Sequence, residues 1–238
     1  MTSLTALARP AASLLLAAAL AACATTGANE PQDPWEGLNR KTYAFYDAVD
    51  QAVLKPVAQG YQKVVPAYAR ERISNFYGNL EDIGTSLNNF LQGKPVEAIN
   101  DFGRVIVNTT FGILGFWDVA TPLGVEKHYE DFGQTLGWWG LPSGPYLVLP
   151  LLGPSTARDG PAKVVDPMWY YPKVIESDPA YWSFWVLDKV RTREELLKSE
   201  RLMEEAALDK YTFIRDAWLQ RRRNQVYDGN PPRIKEED

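Results

Sequence analysis

The chain has one cysteine and one histidine in 238 residues, and these two shortages exclude several kinds of site. A single thiol, Cys23, cannot form a disulfide within the chain, so stability has to come from packing. The single imidazole, His128, lies in EKHYED with neither an HExxH spacing nor a second histidine nearby. That context disfavours a metal centre or base catalysis, and we predict no bound metal.

The sequence also lacks a recognisable nucleophile or phosphate loop. Ser143 lies in GLPSG, where the upstream glycine is one position too far away for a GxSxG elbow. Gly112-x-x-Gly115 has neither the lysine nor the strand-turn-helix context of a phosphate loop. Hydrolysis by two carboxylates stays open, because the sequence does not show which residues meet in space. We therefore expect a protein that is not an enzyme.

An excess of positive charge is missing as well. Lysine and arginine together number 25 against 30 aspartates and glutamates, and the formal charge is -5. The strongest basic run is Arg221-Arg222-Arg223. This balance argues against nucleic acid as a partner. A length of 238 residues suits one large domain with a real core.

No uncharged run is compatible with a lipid-exposed helix across a bilayer. The 26 residues between Asp131 and Arg158 are long enough, but prolines and glycines interrupt them throughout. We expect short turns and extended pieces here. Their amides need partners, so this backbone has to be buried in protein or to line a water-filled cavity.

The N-terminus predicts the compartment. Arg9, an apolar run from Ala11 to Ala22 and then Cys23 are typical of a secretory signal covering residues 1–22. Leu20-Ala21-Ala22-Cys23 resembles the lipobox of bacterial lipoproteins, in which the cysteine is lipidated and becomes the first residue. Residues 23–32 are then a lipidated tether, and Ala24 after the cysteine favours sorting to the outer membrane. A chance thiol in an ordinary signal is the alternative.

Apolar residues recur at helical spacing in most of the remaining chain, and no alternating strand pattern of any length competes with them. The predicted class is therefore all-α. Asp33-Pro34-Trp35-Glu36 predicts a helix start with Asp33 as N-cap. Pro66 predicts the start of a short helix toward Phe76, followed by a further helical segment that stops at Gly93. Pro95 predicts another start.

The C-terminal part is predicted to be helical as well. Ser177-Asp178-Pro179 predicts an aromatic-rich helix, and Thr192-Arg193-Glu194-Glu195 has the pattern of a capping box. Helical spacing then continues from Leu196 to Trp218. Residues 223–238 are polar and are predicted to be a disordered tail.

A second uncharged stretch, from Val105 to Trp117, precedes turn-forming residues at Pro122 and Gly124. It predicts an apolar helix that ends in a hairpin-like loop. A helix buried in the core is the alternative for an apolar run of this length.

Three long segments carry a family resemblance. They begin at Asp33 (DPWEGLNRKTYAFYDAVDQAVLKPVA), at Ser74 (SNFYGNLEDIGTSLNNFLQGKPVEAINDFGRVIVNTTFGILGFWDVA) and at Glu130 (EDFGQTLGWWGLPSGPYLVLPLLGPSTARD). In this order, and behind a lipobox, they resemble the MlaA (VacJ) family of outer-membrane lipoproteins. The resemblance extends to about Trp218 and predicts a family domain over residues 33–222.

The resemblance implies an all-helical, ring-shaped protein in the periplasmic leaflet of the outer membrane, with an amphipathic channel through its centre. Such proteins associate with trimeric porins. They maintain lipid asymmetry by passing mislocalised phospholipids from the outer leaflet to a periplasmic carrier protein. The family uses no nucleotide or metal cofactor.

The resemblance also implies a flexible hairpin loop that controls the channel, by position within Val105–Gly124. The residues we expect to form this gate, with glycine hinges beside an apolar plug, are Asn108, Thr109, Thr110, Gly112, Gly115, Phe116, Trp117, Pro122 and Gly124. For each of them, simple packing between helices is the alternative. Trp138, Trp139 and Tyr146 suit the membrane-water interface.

Two other functions are weighed against transport. A structural lipoprotein that braces the outer membrane or a porin predicts the same signal and anchor, but it gives no reason for a polar-lined channel. An envelope lipid hydrolase requires a nucleophile and a base that the sequence does not show.

Overall fold

The computed structural model describes residues 30–170 and 178–233, and the described chain is predominantly helical. The predicted signal peptide 1–22, Cys23 and the tether up to residue 29 lie outside the described residues, as do residues 234–238 of the predicted tail. In chain order the α-helices are α1 (Glu36–Val49), α2 (Lys55–Val64), α3 (Ala67–Leu91), α4 (Pro95–Thr110), α5 (Phe132–Trp138), α6 (Asp159–Val165), α7 (Pro167–Tyr170), α8 (Asp178–Ala206) and α9 (Lys210–Val226).

The first two helices form one rod, because a five-residue π-helix, Asp50–Leu54, joins α1 to α2. Asp50, in the first turn of this π segment, is buried and accepts two hydrogen bonds of 2.7 Å from the Arg193 guanidinium of α8. A bidentate ion pair therefore ties the rod to α8 at the point where its winding changes.

The predicted N-cap at Asp33 is wrong. Helix α1 begins at Glu36, after Trp35, and has no side-chain cap. The Asp33 carboxylate is instead fully buried and accepts hydrogen bonds from Asn39 Nδ2 at 2.8 Å, Tyr211 Oη at 2.5 Å and Arg215 Nη1 at 3.3 Å. Tertiary partners on α9 thus replace the local cap.

Helices α3 and α4 form an antiparallel hairpin. The two segments predicted between Pro66 and Gly93 are a single helix of 25 residues, α3, because no proline interrupts them. Gly93 follows with φ of +74°, and Pro95 begins α4, as predicted. Ser86 Oγ donates to the Ala98 carbonyl at 2.8 Å across the pair.

The Pro/Gly-rich segment combines one short helix with a hairpin. Asp131 caps α5 by accepting from the Gln134 amide, so the expectation of turns alone is wrong for residues 132–138. Farther on, β1 (Tyr146–Leu149) pairs antiparallel with β2 (Gly153–Thr156), Tyr146 opposite Thr156. These are the predicted extended pieces, paired so that their amides are satisfied.

Two predictions about the C-terminal helices are wrong. Thr192 lies inside α8 and donates to the Asp188 carbonyl at 2.9 Å, so it begins no helix. The helical pattern from Leu196 to Trp218 is divided between α8 and α9, because Asp209 accepts from the amides of Tyr211 and Thr212 and starts a new helix. Helix α9 then continues to Val226, so residues 223–226 are not part of a disordered tail.

The apolar core is small and aromatic. Tyr43 of α1, Tyr146 and Val148 of β1 and Tyr211 of α9 form it. Tyr146 has no exposed surface, which contradicts its assignment to the membrane-water interface. Tyr146 lies in the same uncharged segment as Trp138 and Trp139, but its ring points from β1 into the core.

We expect Asp33→Ala to lower the free energy of unfolding by about 3 to 5 kcal/mol, because Arg215 and Tyr211 lose a buried partner. Urea unfolding in detergent micelles measures this change. Glu126→Ala, at an exposed position, is the control and is expected to stay within about 0.5 kcal/mol of the native chain. Equal stabilities for the two variants would contradict the assigned role of Asp33.

Candidate functional site: a polar interior behind an apolar surface

The distribution of side chains is the reverse of that in a water-soluble protein. Among the described residues, no leucine, isoleucine, phenylalanine, methionine or tryptophan is buried, whereas Arg104, Asp82, Asp101, Asn88 and Asn89 are almost completely buried. Large apolar side chains lie on the surface instead. Buried polar groups and extensive exposed apolar surface are both informative departures, and here they occur together.

Helix α4 displays this reversal within one element. One of its faces presents exposed apolar side chains at helical spacing: Val96, Ile99, Phe102 and Ile106. The opposite face is buried and carries Ala98, Asp101, Arg104 and Asn108. An amphipathic helix that turns its charged face inward and its apolar face outward fits a protein whose surroundings are apolar.

Arg104 is the centre of the buried polar face. Its guanidinium donates to Asp82 of α3 at 3.3 Å, to both oxygens of Asp118 at 3.1 Å and to the Val125 carbonyl at 2.6 Å. Lys127 donates to the other oxygen of Asp82. The charges compensate one another locally, which is the condition for burying them.

His128 belongs to a second buried cluster. Its Nδ1 lies 3.1 Å from Asp101 Oδ1, and Asn89 Nδ2 donates to the other Asp101 oxygen at 2.8 Å. Within the described chain no three histidine, cysteine, aspartate or glutamate residues are grouped so that they could hold a metal ion. The imidazole therefore has a defined structural partner in Asp101.

The predicted gate is a compact, charge-free loop from Phe111 to Trp117, which we call the apolar loop. Its tip residues Phe111, Ile113 and Leu114 are 73%, 62% and 61% exposed. Ile113 and Leu114 have φ of 50° and 58°, a region that costs a β-branched or bulky residue conformational energy. The loop thus holds apolar side chains outward in a strained backbone.

The rest of the apolar loop is fastened to α3. Phe116 stacks on Phe76 with ring centroids 4.9 Å apart, and its carbonyl accepts from Arg72 and Asn75. The Arg72 guanidinium also lies over the Trp117 ring at 5.5 Å. Two of the predicted gate residues, Phe116 and Trp117, are therefore contact points of the loop.

The other predicted gate residues have mainly structural contacts. Asn108 is buried, and its Oδ1 accepts from the amides of Val119 and Ala120, which closes the loop onto α4. Thr109 and Thr110 are both exposed, and Thr109 Oγ1 accepts from Asn79 Nδ2 at 3.0 Å. Pro122 lies in a 3₁₀ turn that ends at Gly124, with φ of +80°, as the turn pattern predicted.

The two proposed hinge glycines are tightly surrounded. A Cβ at Gly112 would lie 2.0 Å from the Trp117 carbonyl oxygen, and one at Gly115 would lie 2.7 Å from the Asn79 side chain. Gly115 also has φ of +91°. Neighbouring atoms thus leave no room for a side chain at either position. A hinge motion at these glycines stays a prediction.

We expect Gly112→Ala to destabilise the apolar loop by more than about 1 kcal/mol, because the added carbon overlaps backbone. Gly103→Ala, in the middle of α4 with no neighbouring atom within 4 Å, is the matched control and is expected to stabilise by about 0.5 to 1 kcal/mol. Thermal unfolding of both variants in detergent measures the difference. A neutral Gly112→Ala would show that the loop has room to rearrange.

Two tryptophans mark the end of α3. Trp138 and Trp139 are about half exposed; Trp139 Nε1 donates to the Leu91 carbonyl at 3.0 Å, and Lys94 Nζ lies 4.6 Å from the Trp138 ring centroid. Such rings suit a boundary that is apolar on one side and wet on the other. Unlike Tyr146, both have the exposure that an interfacial position requires.

Two adjoining cavities open into the polar interior. One, of about 220 Å³, is lined by Asp131, Asp159, Lys163, Asp166, Arg221 and Arg222, with Ala162, Trp218 and Gln225. The other, of about 160 Å³, is lined by Glu81, Thr85, Asn88, Tyr129, Glu130, Gln134 and Gly84. Asp131, Asp166 and Gln225 line both, so the cavities meet along these three side chains.

The charges between the cavities are unevenly compensated. Arg222 donates to Asp131 at 2.6 Å and to Asp159 at 2.9 Å, and Arg158 donates to Asp159 at 2.8 Å. Asp166 instead accepts from the Phe132 amide at 2.8 Å. Burial, reinforced by the nearby Asp131 carboxylate, raises the pKa of Asp166 to about 7.

A carboxyl group whose pKa is raised on folding destabilises the folded chain as pH increases from its unfolded pKa to its folded pKa. For Asp166 that interval extends from about pH 4 to about pH 7. We expect Asp166→Asn to leave stability unchanged at pH 4 and to raise the free energy of unfolding at pH 8 by up to about 4 kcal/mol.

Unfolding midpoints of the native chain and of Asp166→Asn between pH 4 and pH 8 test this expectation. Glu126→Gln, at an exposed position, is the control. A constant difference between the native chain and Asp166→Asn across this range would show that Asp166 does not titrate within it.

Some of these features are recognisable in the sequence. The Asp101, Arg104 and Asn108 spacing on α4 is visible in the sequence, opposite an equally regular apolar stripe. No sequence signal identifies Lys163 or Asp166, because their cavity is assembled from α5, α6 and α9 by tertiary packing. Within the described residues, no helix has the length and apolar character needed to cross a bilayer.

An interior of compensated charges under an apolar surface defines a class of helical protein suited to lipid contact without a spanning helix. Comparison with known proteins identifies the family. The model of the MlaA lipoprotein family matches residues 31–225, and the chain belongs to that family.

Relatives support the assignment over most of the chain. The intermembrane phospholipid transport system lipoprotein MlaA of Escherichia coli K12 is 37% identical over 209 residues, which is 85% of this chain and 82% of that protein. The protein of the same name from Haemophilus influenzae is 32% identical over 240 residues, covering 94% and 92% of the two chains.

A solved structure reported as "Structural basis for maintenance of bacterial outer membrane lipid asymmetry" has the same fold. It matches with a TM-score of 0.70 at 35% identity, over 83% of this chain and 99% of that chain. The predicted family and the predominantly helical fold are thereby confirmed.

Proposed function

We propose that this chain is an outer-membrane lipoprotein that maintains lipid asymmetry by removing misplaced phospholipids from the outer leaflet. The lipid passes through the polar interior to a periplasmic carrier. The observation that carries the proposal is the reversed distribution of side chains: an apolar surface on α4 and the apolar loop, and charged cavities lined by side chains of α3, α6 and α9. The relatives' names point to phospholipid transport.

The apolar surface gives the chain its place in the membrane. Exposed side chains on α4 and on the tip of the apolar loop would contact hydrocarbon, while Trp138 and Trp139 lie at the head-group level. The chain sits in the periplasmic leaflet in this proposal, held by a lipidated Cys23 and ring-shaped around its channel. A trimeric porin in the same membrane and a soluble phospholipid carrier are its proposed partners.

The polar interior gives the lipid its path. A phospholipid head group that moves through hydrocarbon loses its hydration, and a wall of amides, carboxylates and guanidinium groups replaces that hydration. The acyl chains stay in contact with apolar side chains. No bond is made or broken on this route, so the chain acts as a conduit and the apolar loop is its proposed gate.

Bracing of the membrane is less well supported. A brace would need the apolar surface and the anchor but no cavities in which Lys163 and Asp166 are kept partly free of counter-ions. Charged groups that line an internal cavity lose hydration, which lowers the stability of the fold, and a protein that only braces the membrane gains nothing from them.

We expect Ile106→Lys to weaken membrane association strongly, because a charge at bilayer depth costs about 2.5 to 3.5 kcal/mol. Asn100→Lys, at an exposed position on the same helix, is the matched control. Tryptophan quenching by brominated lipids in reconstituted vesicles measures the depth of the protein. Equal quenching in both variants would place the α4 apolar face outside the hydrocarbon.

Transport itself is tested in cells that lack the gene. Phospholipid exposed in the outer leaflet is measured with a membrane-impermeant amine reagent. A rise on deletion that a plasmid copy reverses is expected, and the Ile106→Lys copy should fail to reverse it while Asn100→Lys succeeds. If outer-leaflet phospholipid did not rise on deletion, transport would be contradicted and bracing would be the better-supported hypothesis.

A further inference from the structure

The larger cavity contains two cations that lack a carboxylate partner. Lys163, on α6, donates to the carbonyl oxygens of Leu152 at 2.9 Å and Pro154 at 2.7 Å. Both acceptors are neutral. Across residues 30–170 and 178–233, Lys163 forms no ion pair within 4 Å, and the side chain of Arg221 on α9 has neither a hydrogen bond nor an ion pair.

The acids in the same cavity do not supply the missing charge. Asp131 and Asp159 are committed to Arg222, and Asp159 also to Arg158, so these four groups form a neutral cluster. The remaining acid, Asp166, is only partly ionised at neutral pH. Lys163 and Arg221 therefore leave this part of the cavity wall with an excess of positive charge.

Burial of an ammonium group without a counter-ion is unfavourable. Its effect is visible in Lys163, whose pKa is lowered to about 8 by burial first and by the nearby Arg222 guanidinium second. An anion that enters the cavity would relieve this cost. The apolar part of the lining, Ala162 and Trp218, suits the glycerol and first methylenes of a lipid better than water alone.

We propose that Lys163 and Arg221 form a subsite for the phosphodiester of a phospholipid head group, in the cavity between α6 and α9. The inference rests on the proposed function, because it places the head group of the transported lipid. It adds the two side chains that recognise the phosphate. Lys163 contributes a partly buried charge, and Arg221, exposed at the mouth of the cavity, contributes a guanidinium suited to two phosphate oxygens.

The test measures binding of a short-chain phosphatidylethanolamine, labelled in its acyl tail, to the purified full-length chain in non-ionic detergent. A diacylglycerol with the same labelled tail lacks the phosphate. The variants are Lys163→Gln, Arg221→Gln and the double variant. Arg223→Gln, which removes the same charge from α9 but does not line the cavity, is the matched control.

We expect each single variant to weaken phospholipid binding several-fold, and the double variant to weaken it by about tenfold or more, as the loss of charge-assisted hydrogen bonds implies. Binding of the diacylglycerol should be weak and equal in all chains. Lys163→Arg should retain phospholipid binding, since it keeps the charge. Arg221→Gln removes no internal contact, so its effect cannot come from misfolding.

Three results would overturn the subsite. The double variant could bind phospholipid as tightly as Arg223→Gln, or the native chain could bind the diacylglycerol as tightly as the phospholipid. Inorganic phosphate could displace the labelled phospholipid at equal concentration, which would make the site one for free phosphate.

The deletion experiment in cells separates this inference from the function. Unchanged lipid binding in the double variant, with a clear rise of outer-leaflet phospholipid on deletion, would reject the subsite alone. Loss of binding without any rise on deletion would reject transport alone.

Discussion

A buried charge has to be compensated, and most of this structure follows from that requirement. Arg104 is almost fully buried and is held by Asp82 on α3, by Asp118 beyond the apolar loop and by the Val125 carbonyl. One guanidinium thus joins two helices and fixes the path of the chain that follows them. Arg193 with Asp50, and Arg222 with Asp131 and Asp159, do the same between other elements.

Because ion pairs and amide networks hold many of the elements together, the apolar core stays small, and most large aliphatic side chains are not part of it. These side chains face outward instead. Helix α4 shows both features, with charged and polar side chains on its buried face and apolar side chains on its exposed face. In water such a surface would be an aggregation hazard, but in a lipid leaflet it is the favourable one. The same arrangement leaves polar walls around the internal cavities, which in the proposed function replace the lost hydration of a head group. The proposed membrane placement and the proposed lipid passage therefore have one physical origin.

The sequence predicted the helical class and several boundaries, since Pro95, Gly93 and the turn at Pro122 and Gly124 act locally. It failed where a side chain found a distant partner. Asp33 has the sequence context of an N-cap, but its carboxylate binds Tyr211 and Arg215 instead. The residues from Thr192 have the pattern of a capping box, but they lie inside a longer helix. The sequence predicts the same interfacial role for Tyr146 as for Trp138 and Trp139, because an aromatic residue in an uncharged segment does not reveal which way its ring faces. Packing of the Tyr146 ring against Tyr211 and Trp218 of α9 buries it.

The candidate site was predicted only in outline. The charge-free loop and its glycines were recognisable, although the reason for Gly112, its contact with the Trp117 carbonyl, depends on how the loop folds back. The cavity between α6 and α9 left no trace in the sequence, because Lys163, Asp166 and Arg221 meet only after packing. Local rules thus describe the elements of this chain, and its interior is a tertiary property.

The most direct test of the account is photo-crosslinking of phospholipid from inside the molecule. A photoreactive amino acid is placed at Gln225, which lines both cavities, and in a second chain at the exposed Glu126. Cells with radiolabelled phospholipid are irradiated and the purified chain is counted. The account predicts labelled lipid on the Gln225 chain and little on the Glu126 chain. Absence of lipid at Gln225, in a chain that is folded and membrane-bound, would contradict passage through the polar interior.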